Sequence, residues 1–162
     1  MRTPTLVVAI ACALPIALAT DEASTLAWRS QGNPTARPHF WAWEGIATFF
    51  ESLVVRDGKV LVGGSDHART KRFRADYAAG THLPLADFVL LDQAGVSGRY
   101  PQCAALASFF MTADRAAHRE KFLAYLKVVH AGTAVPDTFE ACFGRKPADL
   151  QAAWDAWVRD LR

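Results

Sequence analysis

The chain has 162 residues, 18 Lys+Arg against 16 Asp+Glu and a net charge of +2, with 51% hydrophobic residues. That length holds one domain with a real core. The near-neutral balance gives no electrostatic basis for binding nucleic acid or an anionic membrane.

Residues 1–19 read as a secretory signal: Arg2, then the apolar run LVVAIACALPIALA, closing in Ala17-Leu18-Ala19. The run is interrupted by Pro15 and falls short of the ~20 residues of a membrane span. Cleavage would remove Arg2 and lower the net charge from +2 to +1. The expected location is therefore extracytoplasmic, periplasmic or secreted, with no stable membrane span. Residues 20–162 form a single, mainly helical domain.

Thr20 to about Ser30 is a first helical stretch, ended by the breaker-rich QGNPTARP at 31–38. Phe40–Val55 is a second helix, stopped by Asp57-Gly58. VLVGG at 60–64 is the one strand-like run, which allows at most a short strand or hairpin. Ser65 can cap a helix reaching Ala79, with Gly80 as its left-handed terminator. Pro84–Leu91 is short and apolar, and DQAGVSGRY reads as loop.

Pro101 opens a buried helix through Met111, in which Ala104, Ala105, Ala107 and Ser108 leave room for close approach. Residues 116–130 are amphipathic, with Phe122, Leu123, Tyr125, Leu126 and Val129 inward and Gly132 at the end. Asp137–Glu140 resembles a capping box before a short helix closed by Gly144. Pro147 opens a last helix whose Leu150, Trp154, Trp157 and Leu161 make a core stripe. The basic cluster Arg69, Lys71, Arg72, Arg74 wraps its helix and reads as a solvated face. Cys103 and Cys142 are either one disulfide or two small core thiols.

Chemistry concentrates in WAWEGIATFFE, residues 41–51, where one carboxylate, Glu44, sits in an apolar helix. Such a group is costly to bury unless it is paired, hydrogen-bonded or bound to metal. Glu44 is either a site residue or the one Glu at the edge of an ordinary apolar stripe.

The run Pro38-His39-Phe40-Trp41-Ala42-Trp43-Glu44-Gly45-Ile46-Ala47-Thr48-Phe49-Phe50-Glu51 resembles the segment that carries the third zinc ligand in gluzincin metallopeptidases. The likeness is to the peptidase-MA-like branch of bacterial proteins described as domains of unknown function. PLADFVLL, YPQCAALASFF, FLAYLKVVHAG, TFEACFG and the Trp-containing last helix are similar to that family's ending. The resemblance spans roughly residues 21–162 and implies the C-terminal helical part of a zincin-like fold.

In that family zinc is held by the two histidines of H-E-x-x-H and by a Glu on the next helix, and the motif's own Glu is the general base. Eighteen residues separate Glu44 from Asp21-Glu22-Ala23-Ser24-Thr25, which stands where the family has H-E-A-T-H. The resemblance makes Glu44 the third metal ligand, Asp21 and Thr25 degenerate histidine positions, Glu22 the degenerate general-base position, and Tyr100 a candidate to steady an oxyanion. Zinc would be weakly held or absent, since Asp, Thr and Glu offer neither imidazole nor thiolate.

Cleavage after Ala19 would also place Asp21 second in the mature chain, at a fraying helix end. Among the other histidines, His39, five residues before Glu44, is the best substitute ligand. Three readings stand: an inactive gluzincin-like exported protein, a truncated reading of an active enzyme, and a non-catalytic helical module. In the last, Phe40, Trp41 and Trp43 line a groove for a peptide or protein partner.

Overall fold

The computed structural model describes residues 37–62 and 67–161, all within one compact unit spanning residues 33–162. The expected signal at 1–19, the helix at 20–30, the cap at Ser65 and the positions Asp21, Glu22 and Thr25 lie outside the described residues. Among those described, the chain is mainly helical with one hairpin, as expected. It runs α1 (Trp41–Glu51), β1 (Val54–Arg56), β2 (Lys59–Leu61), α2 (Ala68–Ala78), α3 (Leu85–Phe88), α4 (Gln93–Val96), α5 (Tyr100–Thr112), α6 (Arg119–His130), α7 (Thr138–Phe143) and α8 (Gln151–Asp160).

Helix α5 is the axis of the fold. Every residue from Gln102 to Phe110 is buried, so it has no solvent face along that stretch. Its alanines and Ser108 let α1 lie against it, and this is the most extensive helix contact present. Gly45 sets the distance: a Cβ there would stand 3.0 Å from the Cys103 carbonyl oxygen and 3.3 Å from the Ala107 Cβ. Above this contact, Trp41 stacks on Phe122 and Tyr125, each at 5.8 Å between centroids. Phe110, Phe139 and Phe143 continue the same aromatic core.

Several boundaries differ from the sequence reading. Helix α1 stops at Glu51 and does not reach Val55. Ser52 closes it, with both its N–H and its hydroxyl donating to the Phe49 carbonyl. The β-branched pair Val54-Val55 then pairs with Val60 and Leu61 in an antiparallel hairpin. Asp57 and Gly58 both have positive φ, +52° and +71°, as a two-residue primed turn requires.

The expected loop at 92–100 contains one helical turn, because the Asp92 carboxylate accepts from the Gly95 N–H at 2.9 Å. Asp137 does not cap α7 through its side chain. Instead the Thr138 hydroxyl oxygen accepts from the Val135 N–H at 2.8 Å. Gly80, Gly132 and Gly144 are left-handed at their helix ends, as expected.

Candidate functional site

Helix α1 turns Trp41, Ala42, Gly45, Thr48 and Phe49 inward, leaving Glu44 half-buried on the border of that stripe. Among the described residues its carboxylate makes no hydrogen bond or ion pair. Two neighbours feel its charge, however. Arg69, at the first turn of α2, is held more firmly protonated, chiefly by Glu51 and to a smaller degree by Glu44. Cys103, on α5, has its thiol pushed up by burial first and by Glu44 second.

Arg69 also gathers the other residues on this surface. Its Nε donates to Glu51 Oε2 at 2.6 Å and its terminal nitrogen to Oε1 at 3.2 Å. The Glu51 carboxyl is lowered by that fork. The guanidinium also lies over the Tyr100 ring, 5.7 Å from its centroid. Glu51 and Tyr100, far apart in sequence, are thereby joined through one cation.

Lys71, Arg72 and Arg74 are exposed, as the solvated-face reading expects, while Arg69 sits at the edge of that face in a solvent-exposed ion pair. At Arg72 the partner is local: its Nε donates to Asp76 Oδ1 at 2.9 Å, one turn along α2. Opposite charge was visible at both Glu51 and Arg69. The ion pair that joins the start of α2 to the end of α1 was not legible from local spacing.

His39 is not available as a metal ligand. It is fully buried, and both ring nitrogens are engaged. Nε2 lies 2.8 Å from the Val135 carbonyl oxygen, which can only accept, so Nε2 carries the proton. Nδ1 then accepts from the Tyr125 hydroxyl at 2.8 Å. Burial holds the imidazole below its ordinary pKa and raises the Tyr125 phenol well above its own. The nearby Trp41 indole opposes the phenol's shift, although its N–H reaches no hydrogen-bonding geometry.

Trp41 is also fully buried at the centre of the core, so it cannot line an open groove. Trp43 is half-buried and stacks on His130, with centroids 3.8 Å apart. Cys103 and Cys142 are both free thiols.

Among the described residues no group of three His, Cys, Asp or Glu could hold a metal, and no helix is long and apolar enough to cross a membrane. Comparison of the chain with protein-family models, curated proteins and solved structures gives no match.

Proposed function

We propose that this is an exported, gluzincin-like protein in which the third-ligand position of a zinc peptidase persists without hydrolytic chemistry. The observation that supports the reading is the half-buried carboxylate of Glu44, which has no hydrogen-bond or ion-pair partner among the described residues.

The donor set does not fit zinc. Asp21 and Thr25 replace both imidazoles, and Thr25 brings a neutral hydroxyl that binds zinc poorly. With no bound metal to acidify a water, Glu22 has no activated nucleophile to generate.

A thermal-shift titration of the purified full chain with zinc tests this. The expected result is no zinc-dependent rise in Tm, in the parent or in Glu44→Gln. A saturable rise that Glu44→Gln removes would overturn it.

A second reading, a peptide- or protein-binding module, is favoured by a different surface. Val55 and Val60 on the hairpin are 70% and 59% exposed, and Phe50, Leu53, Val54 and Leu61 beside them are also exposed. A two-stranded ribbon with open edges is a poor structure in water alone and a natural template for an added strand. Titration with extended apolar peptides should move the amide resonances of residues 54–61. Unmoved resonances would rule this reading out.

A further inference from the structure

A polar cleft of about 370 Å³ lies on the molecule away from Glu44. It is walled by α2 through Arg72, Phe73 and Asp76, by Thr81 and His82 in the link that follows, and by the Ser97–Arg99 turn entering α5.

Its walls are fixed by bonds that use up most of their polar groups. Gln102 clamps the backbone of Leu83 from both sides, accepting from its N–H at 3.1 Å and donating to its carbonyl at 2.7 Å. The Thr81 hydroxyl donates to the Asp76 carbonyl oxygen at 3.0 Å. His82 is held by stacking on Tyr77 at 4.4 Å and by its edge-on contact with Phe73.

What remains uncommitted is mostly cationic or donating. The half-buried Arg99 guanidinium has no ion-pair or hydrogen-bond partner among the described residues. Arg72 binds the sole carboxylate of the lining, Asp76, through Nε, which leaves its terminal nitrogens open. His82 lines the same wall, its Nδ1 occluded and without a partner among the described residues.

We infer that this cleft binds a small oxyanion, a phosphate group, with Arg99 as its principal ligand and Arg72 in support. Two guanidiniums set against one carboxylate leave an excess positive charge, and the planar N–H fork matches tetrahedral oxyanion edges. The clamped walls mean that little ordering is needed on binding. Asp76 would disfavour the anion were its charge not already held by Arg72.

The test is titration of the isotope-labelled full chain with inorganic phosphate, read by amide resonances at constant ionic strength. Saturable movement at Gly98, Arg99 and His82 in the low-millimolar range is expected. Acetate should move the same resonances more weakly, and chloride should not move them. Arg99→Gln should weaken binding about tenfold or more, with the remaining spectrum preserved. Arg72→Gln, on the exposed face of α2, should weaken it several-fold and serves as an independent variant. Non-saturating movement spread over all basic residues, or unchanged binding in both variants, would overturn the assignment.

Discussion

At the scale of single residues, the buried His39–Tyr125 pair is the most consequential polar feature of the core. Tyr125→Phe would leave His39 Nδ1 without a donor in a dry site, costing about 1–3 kcal/mol in urea unfolding. The pair also makes stability depend on pH. In the unfolded chain a histidine titrates near 6.5, whereas burial holds folded His39 lower. Its contribution is therefore complete above pH 6.5 and is lost as pH falls below that value toward the folded pKa. His118 and His130 are lowered too, also mainly by burial. His39→Asn should consequently shrink the acid-side loss of stability without abolishing it, in urea midpoints measured from pH 7 down to pH 5. A midpoint that falls as steeply in the variant would contradict the assignment. Nothing local in the sequence pairs residues 86 positions apart, which is why His39 read as a spare ligand. Glu44 was legible, because a lone carboxylate in an apolar helix is a local signal.

At the scale of elements, the α1–α5 contact rests on small residues that the sequence displayed openly. Gly45→Ala gains helix propensity worth about 1 kcal/mol. It also drives a Cβ to within 3.0 Å of backbone oxygen, which cannot move aside as a side chain could. The packing penalty for such overfilling is about 1–3 kcal/mol, so a net loss is expected. Gly45→Val should be worse, and a rise in Tm for either variant would refute the close packing.

The segment after α5 behaves oppositely. Asp114, Arg115 and Ala116 are three successive non-glycine residues at positive φ, each costing on the order of 1 kcal/mol. Ala116→Gly should therefore raise stability by about 0.5–1 kcal/mol. The sequence reading left a break after Met111 but began the next helix at residue 116, within this turn, because nothing in Ala-Asp-Arg-Ala-Ala marks positive φ. α6 and α8 were legible from their apolar periodicity, and α5 from Pro101 and its unbroken run of apolar and small residues. The end of α1 was misread because Val54 and Val55 continue its apolar pattern while their β-branched chains suit the strand they form.

For the molecule as a whole, α5 holds α1 and α2 so that Glu44, Arg69 and Tyr100 share a surface, while the oxyanion cleft opens at the other end of α2. The mainly helical class could be read from breakers and periodicity, and so could a strand near 60, although its partner Val54–Arg56 was read as helix. The convergence on Arg69 could not, since it joins residues far apart in sequence. On the proposed reading, Glu44 holds a former zinc-ligand position and the protein does not support zinc hydrolysis. The most direct measurement is the metal content of the purified full chain, with peptide hydrolysis assayed on the same sample. The account predicts zinc far below one ion per chain and no hydrolysis above background, both unchanged in Glu44→Gln. One zinc per chain, with hydrolysis that Glu44→Gln abolishes, would contradict it.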